Sequence, residues 1–165
     1  MRIDGQYSGC AINPTLEAMV DRWSLIVIRD LMFGNRRHVR ALLSRSEGRI
    51  ASDILADRLK HLEKAGLVSR RDDFTHKQKD IYGLSEASIA LVPLLAPMGG
   101  WGLRHASASK ELSIGAKIRE DGGPQLCSVF MDESRQEVRH VAIPEENEGG
   151  ARPALVFKAR EEFVS

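Results

Sequence analysis

Ile50, Ile54, Leu55, Leu59 and Leu62 recur at steps of four, one, four and three residues, the spacing of one face of an α-helix. Ser52 is placed to cap the start of that helix, and Gly66 to close it in a left-handed conformation. Residues 67–71 then read as a strand, 72–78 as a polar turn and 79–84 as a returning strand. A helix followed at once by a β-hairpin leaves few arrangements for the rest of a small domain.

The segments before the stripe supply two or three more helices. Asn13-Pro14 is a helix start, with Asn13 as cap and Pro14 at the first helical position, running to about Val20. Trp23, Leu25, Ile26, Ile28, Leu31 and Met32 make a second, strongly apolar helix that Gly34 ends. Val39, Leu42 and Leu43 mark a short third one. After the hairpin, Ser85 caps a helix beginning at Glu86 and continuing to about Ala106, with a kink or break expected at Pro93 and Pro97. Beyond about Ser109 the composition changes. Residues 126–131 and 138–143 look like strands, 145–152 is acidic and Gly-containing, and 154–157 is a third candidate strand.

The expected class is therefore mainly α (α+β): a winged helix-turn-helix with a β-hairpin wing over residues 1–110, plus a small C-terminal β-containing appendage over 111–165. No uninterrupted apolar run reaches the ~18 residues of a membrane span, and the first ten residues lack a signal-type apolar stretch, so the expected location is cytoplasmic. Cys10 and Cys127 make neither a disulfide framework nor a metal cluster. His38, His61, His76, His105 and His140 are scattered, and no phosphate-binding or nucleophile motif occurs. An enzyme, a cofactor and a metal site are all unexpected.

Charge is divided unevenly. Residues 1–110 hold 17 Lys and Arg against 12 Asp and Glu, whereas 111–165 hold 7 against 11. A basic body suits an anionic partner, and equally an ordinary solvated surface. In the winged arrangement the helix over 52–65 fits the major groove of B-DNA, which is about 12 Å wide. Its outward face offers Ser52, Asp53, Asp57, Lys60 and His61, with Arg58 at the edge. The wing tip carries His76, Lys77, Gln78 and Lys79 for the backbone or the minor groove. Arg36, Arg37 and His38 stand before the third helix, where backbone N–H groups add to the attraction for a phosphate. A protein-interaction module built on the same fold is the alternative.

From Cys10 to about His105 the chain resembles the HxlR family of bacterial regulators, related to the MarR group. The resemblance rests on 9–13 (GCAIN), 21–25 (DRWSL), 34–38 (GNRRH), 54–62 (ILADRLKHL), 65–67 (AGL), 75–79 (THKQK) and 82–86 (YGLSE), in that order. It implies a sequence-specific DNA-binding transcriptional regulator, a homodimer paired through residues 14–20 and 86–106, and a pseudo-palindromic double-stranded operator. It also marks Cys10 as a redox-sensing candidate. Independently of the resemblance, the C-terminal strands together with the dimer helices are candidate walls for a small-molecule effector pocket. The chain departs from the family pattern at Ala11, where proline is common, at Val39, where a larger core phenylalanine is common, and at Asp53, where a neutral amide is common. Gly83 is unusual inside a strand and points to a bulge or to close packing.

Overall fold

A computed structural model describes residues 10, 12–19, 21–45, 49–72, 80–107 and 109–142. In chain order they form α1 (Ile12–Met19), α2 (Arg22–Met32), α3 (Val39–Arg45), α4 (Ser52–Lys64), β1 (Val68–Asp72), β2 (Asp80–Leu84), α5 (Glu86–Ile89), α6 (Val92–His105) and α7 (Lys110–Ala142). This is the winged helix-turn-helix order: α2 to α4 followed by an antiparallel hairpin, with further helices on either side.

The stripe that predicts α4 is the stripe that is buried. Leu55, Leu59 and Leu62 pack with Val27, Ile28 and Leu31 of α2, all at 2% exposure or less. Removing a leucine or isoleucine side chain from water contributes about 1.5–3 kcal/mol, so this interface anchors α4. Its C-terminal end is a Schellman turn: Gly66 donates to Glu63 O at 3.0 Å and Leu67 to Leu62 O at 2.9 Å, with Gly66 at φ +71°. Its start departs from expectation. Ala51, not Ser52, is the cap residue, and no side chain accepts from the first turn there. Asp53 in that turn instead places a negative charge near the positive end of the helix dipole.

Two other starts differ similarly. α1 begins at Ile12, so Asn13 lies inside the helix and Pro14 within the first turn, where a missing N–H costs nothing. The cap of α2 is Asp21, whose side chain accepts from the backbone N–H groups of Trp23 and Ser24. Ser85 does cap α5, in a reciprocal capping box with Ser88. Ala90 and Leu91 break the expected long helix into α5 and α6; Pro93 sits in the first turn of α6 and Pro97 inside it. Together α5 and α6 make Glu86–His105, a 20-residue stretch containing an 18-residue window of mean hydropathy 1.2, interrupted by Pro93 and Pro97 and so not an unbroken apolar run.

In the wing, Val68 pairs with Leu84, Ser69 with Gly83, Arg70 with Tyr82 and Asp72 with Asp80, without a bulge. Gly83 reflects close packing: a Cβ there would stand 3.1 Å from Ser69 Oγ. An isolated bridge extends the edge of this two-stranded sheet, since His38 pairs with Ile81 and Tyr82 donates to Arg37 O at 2.8 Å. Val39 is exposed, so its small side chain leaves no gap in the core.

The largest correction concerns the C-terminal region. Residues 126–131 and 138–142, expected as strands, belong to α7. Gly123, at φ +55° and ψ −151°, bends α7 ahead of Pro124 into two legs. The first leg packs on α6, where Gly99 meets Ala116 and Gly100 meets the Glu120 carboxylate. The second folds back on the winged-helix core. Cys127, Phe130 and Ser134 are buried at steps of three and four, a helical period that β-prone composition obscures. Phe130 meets Phe33 edge-on at 5.8 Å between centroids, and Arg135 pairs with Glu86. The segments 145–152 and 154–157 lie outside the described residues.

Candidate nucleic-acid interface

With its leucines facing α2, α4 turns Ser52, Asp53, Ala56, Asp57, Lys60, Glu63 and Lys64 outward, all exposed. His61 is half-buried at the edge. Of the residues expected on this surface, Ser52, Asp53, Asp57 and Lys60 are therefore brought together on one helix face. They present hydroxyl, carboxylate and ammonium groups at the spacing of a single groove-sized helix.

Arg58 is placed differently. Its Nη1 donates to Asp21 Oδ2 at 2.8 Å, and its Nη2 donates to the Asp57 carboxylate. The guanidinium thus joins α4 to the N-terminal cap of α2. Asp21 Oδ1 accepts from Trp23 N and Ser24 N, each at 2.9 Å, and Oδ2 from Ser24 Oγ at 2.6 Å. Burial alone would push the Asp21 carboxyl up, but the hydrogen bonds from Ser24 and Arg58 outweigh it and lower it to about 2. The same carboxylates raise Arg58 above the usual guanidinium value, with Asp21 as the larger cause.

The cluster before α3 divides. Arg36, expected to hold a phosphate, is 8% exposed and forms an ion pair at 3.0 Å with Asp30, itself 1% exposed. Arg29 Nη2 contacts the same carboxylate oxygen at 2.7 Å. A carboxylate buried on an apolar helix demands a cation, and tertiary packing supplies Arg36 from the following turn. Arg36 thus belongs to the interior. Arg37 lies half-buried at the wing base, with Nε donating to Asn35 Oδ1 at 2.6 Å, and His38 sits in the bridge to Ile81. His76, Lys77, Gln78 and Lys79 fall outside the described residues.

Two contributions escaped sequence reasoning. The capping role of Asp21 was one, although an Asp one position before an apolar helix is a capping signal. Arg71 is exposed on β1, which emerges from the core at Val68 and leaves Arg70, Arg71 and Asp72 all exposed. Cys10 is exposed just before α1, whereas Cys127, on α7, is buried in the core. Of the strands expected to wall an effector pocket, those at 126–131 and 138–142 are helical; what the second leg of α7 makes with the wing is a shallow depression lined by Arg37, Ser69, Arg71, Ile81, Gly83 and Val138.

The HxlR-like helix-turn-helix family model matches residues 18–110, more than half of the chain, and the protein belongs to that family. The family is one of transcriptional regulators, not of enzymes. Two relatives, from Mycobacterium bovis and Mycobacterium tuberculosis (strain H37Rv), are each described as an uncharacterized HTH-type transcriptional regulator. Each is 30% identical over 97 residues, a match covering 59% of this chain and 60% of the relative. The chain thus spans about 60% of their length. The crystal structure of PA1607, a candidate transcription factor, superposes with a TM-score of 0.56 at 28% identity, covering 63% of this chain and 70% of that one.

Proposed function

We propose that the protein binds double-stranded DNA in a sequence-specific way as a homodimer, with α4 in the major groove and the wing, residues 72–79, along the backbone or minor groove. The observation that carries this reading is the exposed polar face of α4, backed by a leucine face locked into the core of an HxlR-like chain. Ser52, Asp53, Asp57, Lys60 and His61 take the base-facing role, and Lys77, Lys79, His76 and Gln78 the backbone role. Arg37 and His38 steady the wing base.

Apolar side chains left uncovered among the described residues support dimerisation. Ile12 and Leu16 on α1 are 64% and 53% exposed, and Leu94, Met98 and Trp101 on α6 are 45%, 47% and 60% exposed. A two-fold pair would bury these faces and set two α4 helices on half-sites about 34–36 Å apart in a pseudo-palindromic operator. Sedimentation tests this: Trp101→Glu is expected to shift the protein towards monomer and to weaken operator binding with it. A cytoplasmic location goes with this proposed role. An exposed Cys10 beside α1 gives this interface a redox input, tested by diamide treatment of wild type and Cys10→Ser.

The deciding experiment is selection of bound sequences from a random duplex pool, followed by affinity measured against salt. Phosphate neutralisation predicts a log–log slope of about −0.9 per contact. Lys77→Ala and Lys79→Ala should weaken all duplexes alike, while Ser52→Ala and Lys60→Ala should change the preferred sequence. A flat salt response with no selected sequence would refute DNA binding and favour a protein-interaction module.

A further inference from the structure

We propose that Asp21 and Arg58 are positioning residues for base recognition, holding the Asp57 carboxylate at the α4 surface as an acceptor for the N4 amino group of a cytosine. This rests on the reading that α4 enters the major groove. Arg58 is the bridge: one terminal nitrogen donates to Asp21 at 2.8 Å and the other to Asp57. Asp21 is itself fixed by two backbone N–H groups and the Ser24 hydroxyl. The tie therefore runs from the rigid start of α2, through a planar guanidinium, to a side chain that is 66% exposed.

Two physical points give that arrangement a purpose. A lone carboxylate facing DNA is repelled by phosphates, and an arginine shared between two carboxylates offsets part of that cost. A carboxylate only accepts hydrogen bonds. In the major groove guanine offers acceptors, thymine an acceptor and a methyl group, and adenine a donor beside an acceptor. Cytosine N4 is the donor without an adjacent acceptor on its own base. A mobile Asp57 would discriminate poorly, whereas one held by a two-pronged donor is preorganised.

Sequence selection from a random duplex pool tests this with wild type, Asp57→Asn, Arg58→Gln, Arg58→Lys and Asp21→Asn. Asn retains the cap of α2 but loses the charge, so Asp21→Asn keeps the fold while loosening Arg58. Wild type should show one strongly preferred cytosine in each half-site. Asp57→Asn should lose that preference. Arg58→Gln and Asp21→Asn should reduce it about fivefold to tenfold at that position alone. Arg58→Lys should fail to rescue it, because a single ammonium cannot fork between the two carboxylates. Circular dichroism and melting of each variant separate misfolding from lost selectivity. If Arg58→Gln and Asp21→Asn keep the preference that Asp57→Asn loses, the positioning role is wrong. A uniform loss of affinity in Arg58→Gln, with a salt slope shallower by about 0.9, would show a phosphate contact instead. Wild type selecting no sequence would sink the underlying DNA-binding reading and the inference with it.

Discussion

Replacing Phe130 with alanine removes a ring that is 1% exposed and stands edge-on to Phe33, with centroids 5.8 Å apart and planes at 87°. The neighbourhood cannot easily collapse into the gap. Phe33 is held from another side by the Arg119 guanidinium, 4.1 Å from its centroid, and the second leg of α7 is pinned by the Arg135–Glu86 pair. Buried Phe→Ala changes cost about 3–5 kcal/mol, and lost edge-to-face contact adds to the transfer and cavity terms, so about 4 kcal/mol is expected. Against a total stability of about 5–15 kcal/mol that is a large fraction. In urea, with a slope of about 2 kcal/mol per molar, the midpoint should fall by about 2 M. Val129 is the control, one residue away but 44% exposed; Val129→Ala should stay within about 0.5 kcal/mol of wild type. Equal, small shifts for the two variants would refute docking of the second leg of α7 on the winged-helix core.

Breaking the buried pair through Asp30→Asn leaves Arg36 without its charge partner and should cost about 3 kcal/mol, read from the urea midpoint. Gly66→Ala meets no neighbouring atom, so its roughly 1–2 kcal/mol loss would come from the left-handed backbone alone; a neutral result would disprove the Schellman closure of α4. Asp21 is lowered from its usual 3.8 to about 2, so its contribution is fully present above about pH 4 and is lost as pH falls through 2. With its side chain 32% exposed, screening reduces that contribution to about 1 kcal/mol. Between pH 5 and pH 2, wild type should lose about that much more stability than Asp21→Asn, and parallel pH profiles would rule the effect out.

Much of this protein was legible in the chain itself. The leucine and isoleucine spacing of α4, the glycine that ends it, the serine that caps α5 and the hairpin strands all follow from short-range rules, because helix and strand periods are local properties of the chain. The α4 face was legible for the same reason: once the leucines are assigned inward, Ser52, Asp53, Asp57 and Lys60 must point outward. The C-terminal failure has a physical cause too. β-prone side chains at 126–131 concealed a helical period that shows itself once Phe130 and Cys127 are seen against Phe33.

What the tertiary structure alone decided is which charges are spent inside. Arg36 and Arg37 are adjacent and chemically identical, yet one is consumed by a buried aspartate and the other lies at the wing base. Arg58 sits on the helix proposed to enter the major groove, but Asp21, 37 residues earlier, claims its guanidinium. Coulomb energy depends on distance and burial, and neither is a property of sequence neighbours. The chain by itself determined the helix, its wing and its polar face. Packing decided which cations remain outside to meet an anion.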